Sequence, residues 1–194
     1  MSEPTSESQR PRWPRRAALA VAEELRAILA PFCHRIVVAG SLRRGRPEVG
    51  DVELVYVSRS EKRQLPGDMF EWRDVALADV EIATMQAVGL LDRRLNVRGA
   101  VTYGPKNKLM LHRPTGMPVD LFATTEEAWW NYLVCRTGPA ESNVRICEAA
   151  IRKGWHWNPY SVGFTTPAGV RRADSERDVF DLVGLPYLKP EDRR

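Results

Sequence analysis

The stretch VVAGSLRRGRPEVGDVELVYV, residues 37–57, joins a glycine- and arginine-rich turn to an apolar strand that carries two acids. In an extended strand, residues i and i+2 point to the same face, so Asp51 and Glu53 lie side by side while Val52 and Leu54 face the core. Two neighbouring carboxylates repel each other unless a cation lies between them. The pattern therefore predicts a strand in which the two acids have a use beyond burial.

A third acid, Asp120, lies in the apolar strand pattern MPVDLF. Three carboxylates from adjacent strands, with no His or Cys nearby, form the oxygen-only donor set that Mg²⁺ or Mn²⁺ prefers. The alternative is three acids on the solvent-facing side of an antiparallel sheet. Upstream, Gly40 permits a ligand to approach the backbone, Ser41 offers a hydroxyl and Arg44 can hold an anion. Phosphate-binding groups beside metal-binding groups favour a metal–triphosphate ligand.

The charge distribution points the same way. The 194 residues carry a formal net charge of +4, and residues 10–46 contain nine arginines against two acids. A one-sided arginine cluster favours a phosphate-bearing partner, and a solvated basic face is the alternative.

Three scattered cysteines without CxxC spacing indicate reduced thiols. Since no stretch is apolar and long enough to cross a membrane and no signal-peptide core is present, we expect a cytoplasmic, monomeric protein with no membrane partner.

The predicted elements divide the chain into two parts. Residues 15–30 have the composition of a helix, RIVVAG and DVELVYV predict paired strands around a loop, and KLMLHR with MPVDLFAT predicts a hairpin. Residues 58–74 are polar and predict a connection, followed by a helix that ends near Arg94. After residue 124 the pattern is mixed, with helices predicted at 126–133, 142–153 and 175–183. We therefore predict an α+β fold with a disordered tail at residues 1–14.

Several of these motifs resemble a known family. GSLRRGRPEVGDVEL is similar to the signature of the nucleotidyltransferase superfamily, specifically its DNA polymerase beta-like (family X) branch, with Glu53 where that branch usually has Asp. MPVDLF resembles the family's third-carboxylate strand, RTGPAESN its nucleotide-binding segment, and DVFDLVGLPYLKPEDR its closing segment. The resemblance covers residues 17–194 in the family's order.

The resemblance implies a nucleotidyltransferase palm at residues 15–124, built on a small mixed antiparallel sheet flanked by helices. It implies a small α+β thumb-like domain at residues 125–194, and leaves no room for the family's amino-terminal lyase and helix-hairpin-helix regions. The implied activity is metal-dependent addition of nucleotides from nucleoside triphosphates to the 3′-hydroxyl of a DNA primer on its template.

The family's site residues carry over onto matching positions. The implied catalytic and metal-binding residues, which would hold two Mg²⁺ ions or Mn²⁺ in their place, are Asp51, Glu53 and Asp120. The implied nucleotide-binding residues are Gly40, Ser41, Arg44, Gly50, Gly138 and Asn143. Basic residues that could contact the nucleic acid are Lys106, Lys108, Arg145, Arg152 and Lys153, although a solvated helix face or a lysine-protected strand edge explains them equally well.

Some positions depart from the family pattern. Cys135 and Arg136 stand where the family often has an aromatic pair, and Pro118 where it has a basic residue two before the third carboxylate. We hypothesise that loss of the aromatic ring beside the sugar admits ribonucleotides. Other acceptors stay open, namely an RNA end, a small molecule or a protein, as do template-independent terminal transfer and a non-catalytic nucleic-acid binder.

Overall fold

The computed structural model describes residues 11–64 and 72–193. The strands are β1 (Trp13–Pro14), β2 (Cys33–Val38), β3 (Glu48–Val49), β4 (Val52–Ser58), β5 (Ser60–Gln64), β6 (Trp72–Ala76), β7 (Leu91–Arg93), β8 (Asn107–His112), β9 (Met117–Ala123), β10 (His156–Trp157), β11 (Gly163–Thr166) and β12 (Gly169–Arg172). The helices are α1 (Arg15–Leu29), α2 (Gly40–Arg43), α3 (Leu77–Ala87), α4 (Trp129–Thr137), α5 (Ala140–Arg152) and α6 (Glu176–Asp181). In these described parts, no helix has the length and apolar character needed to cross a bilayer.

A five-stranded sheet of order β2-β4-β9-β8-β7 forms the centre of the first half of the chain. The neighbours β4 and β9 run parallel, and the other pairs run antiparallel. The predicted α+β class with a small mixed sheet is confirmed. Because β4 and β9 are parallel neighbours, residues at the start of β4 lie beside residues in the first half of β9.

Helices α1 and α3 cover one face of this sheet. In α1 the buried residues recur at helical spacing, and Val21, Leu25 and Leu29 are at most 3% exposed. They pack in one cluster with Leu54 and Tyr56 of β4 and with buried residues of β8 and β9. This core holds the central strands in place, with Glu53 near the start of β4 and Asp120 in the middle of β9.

The second half of the chain has its own core. Helices α4, α5 and α6 and the small sheet β10-β11-β12 contribute to a cluster that includes Val134, Ile146, Phe164 and Phe180. A third cluster joins the two halves, since Trp129, Tyr132 and Leu133 of α4 pack with Val55 and Phe122 of the large sheet. Helix α4 therefore belongs to both cores. The predicted domain boundary at residue 124 stays a prediction.

The structure differs from the sequence-based expectations at several places. Part of the predicted connection is the antiparallel ribbon of β5 and β6, while residues 65–71 lie outside the described residues. The predicted helix to Arg94 ends at Ala87, because the chain turns at Gly89 (φ 78°) and enters β7. The predicted loop after β2 contains α2 and β3.

The predicted disordered tail, residues 1–14, is wrong for its last residues, which form a strand. Trp13 and Pro14 pair with Val49 and Glu48 as strand β1, and the Arg12 guanidinium donates to the Glu48 carbonyl. Residues 1–10 of that tail lie outside the described residues. The segment before α1 is thus tied to the turn that precedes the acids.

Candidate active site

Two of the three predicted acids are direct neighbours in the large sheet. The parallel register of β4 and β9 pairs Glu53 with Asp120, and Asp51 precedes β4 by one residue. Residues 51 and 53 share a face of the strand, so the three carboxylates form one row, which we call the acid row. The alternative of three unrelated acids on an antiparallel surface does not describe this arrangement, because the two strands are parallel and Glu53 and Asp120 are only partly exposed.

The acid row is electrostatically costly without a cation. Burial, with repulsion from Asp51 and Asp120 added, raises the pKa of Glu53 to about 8 against the opposing charges of Arg136 and Arg44. The pKa of Asp120 is raised to about 6, because burial and repulsion from Asp51 together outweigh the ion pair with Arg94. Both shifts have the signature of carboxylates placed together for a purpose other than stability.

The row has the right donors for a hard divalent cation, since all its ligand atoms are carboxylate oxygens. Across residues 11–64 and 72–193, however, no three His, Cys, Asp or Glu side chains gather closely enough to hold a metal ion. The Asp120 carboxylate is bonded to Arg94, and the Glu53 carboxylate lies against Gly40. The chemistry of the donor set fits Mg²⁺, and these two side chains are directed toward other partners.

The turn before the acids lies directly against Glu53. The amide of Ala39 donates to the Glu53 carbonyl at 2.8 Å, which joins the turn to β4. Gly40 begins α2 with φ 62°, and a Cβ at this position would overlap the Glu53 carboxylate. Both the backbone conformation and the close approach require glycine. The structure thus brings Gly40 to the acid row, and Ser41 follows it on the first turn of α2.

Arg44 connects this turn to the second half of the chain. Its guanidinium donates to the carbonyl of Thr137, and a Cβ at Gly138 would lie 3.2 Å from one of its terminal nitrogens. Asn143 lies on the first turns of α5, where its amide nitrogen donates to the Cys135 carbonyl at 2.9 Å. Gly50 stands next to Asp51 with open space where a Cβ would be. Arg44 and Gly138 therefore meet, while Asn143 is held against α4.

A buried ion network that sequence reasoning missed also joins the turn at α2 to the second half of the chain. Arg43 binds the side chains of Thr137 and Glu176, and Glu176 also accepts from Arg193 at 2.6 Å. Burial alone would raise the pKa of Glu176, but the hydrogen bonds and charges of the two arginines outweigh it and hold the pKa below its ordinary value. No local pattern signals this network, since Glu176 lies 133 residues from Arg43.

Two further arginines approach the acid row from positions outside the family motifs. Arg94, which follows β7, binds Asp120. Arg136 on α4 lies over the Phe122 ring, with 3.9 Å from its guanidinium carbon to the ring centroid, and its charge lowers the pKa of Glu53 and Asp120. Arg136 could have been found from its departure from the family pattern, whereas Arg94 carried no such signal.

The five predicted nucleic-acid contacts differ in their placement. Lys106 is exposed, as are Arg145, Arg152 and Lys153 on and just after α5. Lys153 also donates to the Leu182 carbonyl at 2.8 Å. Lys108 is only 2% exposed and its ammonium is paired with Asp79 at 2.8 Å. This placement contradicts a contact between Lys108 and a phosphate, because the residue points into the sheet's core face.

Comparison with known proteins places this geometry in context. The family model of the DNA polymerase beta thumb matches residues 132–194. The DNA polymerase/3′-5′ exonuclease PolX of Bacillus subtilis is 27% identical over 188 residues, which cover 94% of this chain. The chain spans only 28% of the length of that relative.

Solved structures of Leishmania infantum polymerase beta have the same fold. The ternary P/T complex superposes with a TM-score of 0.70 at 20% identity, covering 95% of this chain and 77% of that one. The ternary gap complex gives a TM-score of 0.73 at 21% identity, covering 94% and 71% of the two chains. The chain is therefore similar to a DNA polymerase in sequence and to the polymerase beta thumb in residues 132–194, and the likeness to the solved structures shows the fold.

Proposed function

We propose that this chain transfers a nucleoside monophosphate from a nucleoside triphosphate to the 3′-hydroxyl of a DNA strand. The observation that carries the proposal is the acid row, formed by the Glu53–Asp120 register with Asp51 alongside, directly against the Gly40–Arg44 turn. Carboxylates that need a cation stand beside groups that bind phosphate. A metal-bound triphosphate satisfies both.

The acid row would hold two divalent cations, with Mg²⁺ as the expected ion and Mn²⁺ as a substitute. When bound, these ions supply neutralisation of the triphosphate charge and a lowered pKa for the attacking hydroxyl. The chain itself contributes placement. In this proposal Ser41 and Arg44 hold the outer phosphates, and Gly138, which Arg44 approaches, and Asn143 on α5 serve the sugar and base.

The reaction is a single displacement at the α-phosphorus. The O3′–phosphorus bond forms as the bond to the bridging oxygen breaks, pyrophosphate leaves, and the hydroxyl proton passes to a carboxylate of the acid row or to water. Alignment by the residues around the row is the main contribution of the protein.

DNA is the proposed acceptor because both halves of the chain present exposed cations that can contact phosphates. Arg145 and Arg152 are seven residues apart on α5, which puts them on one helix face, and Lys106 is exposed at the start of the β8 region. The relative named above is a DNA polymerase, and the solved neighbours are polymerase beta complexes. Lys108 is not part of this proposal.

Primer extension tests the proposal. A labelled primer is offered each nucleotide singly, with Mg²⁺ or Mn²⁺, on templated, gapped and single-stranded DNA. We expect addition by the parent and a loss of roughly a thousandfold or more in Asp51→Ala. The matched control is Asp92→Ala, which removes an exposed carboxylate on β7 that pairs with Arg113 outside the acid row.

The pattern of products decides between acceptors. Addition of only the complementary nucleotide identifies a templated polymerase, and indiscriminate addition identifies a terminal transferase. Equal activity of Asp51→Ala and the parent would refute the catalytic role assigned to the acid row. No addition to DNA, together with intact triphosphate binding, would replace DNA by an RNA end, a small molecule or a protein as the acceptor.

A further inference from the structure

The arginine cluster of residues 10–46 is used only in part by the proposed function. Arg10 lies outside the described residues. Four of the others have partners within the protein, namely Arg26, Arg35, Arg43 and Arg44. The four that remain are exposed, and they are Arg12, Arg15, Arg16 and Arg46. We call these four side chains the strap patch.

The fold gathers the strap patch at one corner of the molecule. Strand β1 pairs antiparallel with β3, so the segment before α1 lies along the loop that follows α2. The amide of Arg15 donates to the Pro47 carbonyl at 2.8 Å, which fixes the start of α1 to this loop. Arg16 follows on the first turn of α1, Arg46 directly precedes Pro47, and Arg12 directly precedes β1. Residues that are distant in sequence therefore form one basic surface.

The positive charge of this surface is not balanced by the protein. Within residues 11–64 and 72–193, none of the four guanidinium groups forms an ion pair with a carboxylate. The exposed acid beside them on β3 is Glu48, whose carbonyl accepts from Arg12 at 3.1 Å. Burial lowers the pKa of Arg44, and repulsion from Arg46 adds to this effect while Glu53 opposes it. The positive surface thus continues from the turn beside the acid row.

Two of the arginines stand where they do not help the helix. Arg15 and Arg16 occupy the first turn of α1, which contains no acidic residue and has no side-chain cap at Pro14. The first turn is the positive end of the helix dipole, so cations there oppose helix stability and an anion favours it. Helix stability therefore does not account for these arginines, whereas a bound anion would offset their charge.

The strap patch also lies close to the acid row. Trp13 of β1 pairs with Val49, which is two residues, or about 7 Å of extended chain, before Asp51. Pro11, the neighbour of Arg12, lines a cavity of about 260 Å³ together with Asp51. A nucleic-acid strand that reaches the acid row is therefore within reach of the strap patch.

We propose that the strap patch binds the phosphate backbone of the DNA that extends beyond the acid row, as a surface additional to the basic face of α5. Guanidinium groups match phosphate oxygens in charge and fork geometry. Contacts of this kind position the nucleic acid without reading its sequence. The place beside the acid row favours DNA over an acidic protein surface. The inference rests on the proposed function for the identity of the acceptor as DNA.

The test compares Arg15→Gln/Arg16→Gln with the parent and with Arg26→Gln/Arg113→Gln. The control removes the same number of charges from arginines that form exposed ion pairs outside the strap patch. The first readout is fluorescence anisotropy of a labelled duplex with a recessed 3′ end, without divalent metal, between about 50 and 200 mM KCl. The second is the melting temperature, and the third is the KM for the nucleoside triphosphate in single-nucleotide addition.

We expect Arg15→Gln/Arg16→Gln to bind the duplex about five- to tenfold more weakly near physiological salt. The slope of the logarithm of the binding constant against the logarithm of salt concentration should become less steep by about 1 to 2, since each phosphate contact contributes about 0.9. The melting temperature should equal or exceed that of the parent, because two cations leave the positive end of α1. The control and the KM for the nucleoside triphosphate should stay within about twofold of the parent.

A salt slope equal to that of the parent or of the control would overturn the inference. A raised KM for the nucleoside triphosphate with unchanged DNA affinity would also overturn it, by assigning the strap patch to the triphosphate. Unchanged values of both would leave an acidic protein in place of DNA as the partner and would equally overturn it. If the parent adds no nucleotide, the proposed function fails, and the anisotropy comparison still decides the role of the strap patch.

Discussion

Replacing Glu176 by Gln tests whether the network of Arg43, Glu176 and Arg193 joins the two halves of the chain. The Glu176 side chain is 8% exposed and that of Arg193 is fully buried. The substitution keeps the size of the side chain but removes the charge that two guanidinium groups share. Breaking a buried ion pair from one side typically costs 3–5 kcal/mol, because the remaining charge has no compensation, so we expect a loss of about 3–5 kcal/mol.

The free energy of unfolding can be measured by urea denaturation at neutral pH, followed by tryptophan fluorescence. Glu23→Gln is the matched control, since Glu23 pairs with Arg26 at 2.7 Å with both side chains more than 40% exposed. We expect that variant to lose at most about 0.5 kcal/mol. The contribution of the network to the free energy of unfolding should be complete above the ordinary carboxyl pKa. It should disappear as pH falls through the lowered pKa of Glu176.

A double-mutant cycle separates the charge network from simple loss of packing. Glu176→Gln combined with Arg193→Met should cost clearly less than the sum of the single variants, because the second change removes the uncompensated guanidinium. A loss below about 1 kcal/mol in Glu176→Gln, or strict additivity in the cycle, would refute the reasoning. Either result would mean that the network adds little to the apolar contacts of α4 and the Arg44–Thr137 hydrogen bond that also join the two halves.

Three further outcomes are expected. Because the folded-state pKa of Glu53 is raised to about 8, the metal-free protein should lose stability as pH rises from about 4.5 through 8. The melting temperature of Glu53→Gln should vary less with pH over that range than that of the parent. In incorporation assays, Arg136→Phe should lower the ribo- to deoxyribonucleotide ratio about tenfold, and an unchanged ratio would contradict the sugar hypothesis. Lys108→Met should lower the free energy of unfolding by about 1–3 kcal/mol without changing DNA affinity, since Asp79 loses its ion pair and keeps only the Tyr56 hydroxyl. Lys106→Met should weaken DNA binding alone.

The central strands and the acid row could be predicted because their signals are local. The alternation of Val52 and Leu54 with Asp51 and Glu53 fixes both the strand and the face of its acids. The turn chemistry of Gly40 is equally local, since its left-handed backbone and its contact with Glu53 both exclude a side chain. The family's motif order then located the strand of the third acid.

Other features depend on long-range packing and had no local signal. Arg94 reaches Asp120 across 26 residues, and only the neighbouring strands β7, β8 and β9 bring them together. The orientation of Lys108 has no clear local signal, because apolar residues occur on both faces of β8 and the structure buries Met110 and His112 on the face of Lys108. The ribbon of β5 and β6 has mostly exposed residues on both strands and therefore lacks the alternation that identifies a half-buried strand.

The position of α4 in two cores has a consequence for dividing the protein into fragments. A fragment that starts at Tyr132, where the thumb match begins, lacks Trp129 and the first turn of α4. A fragment that stops before α4 leaves Val55 and Phe122 of the large sheet without the helix that covers them. Each piece exposes apolar surface that the other piece buries, so separately expressed halves should aggregate alone and become soluble only when produced together.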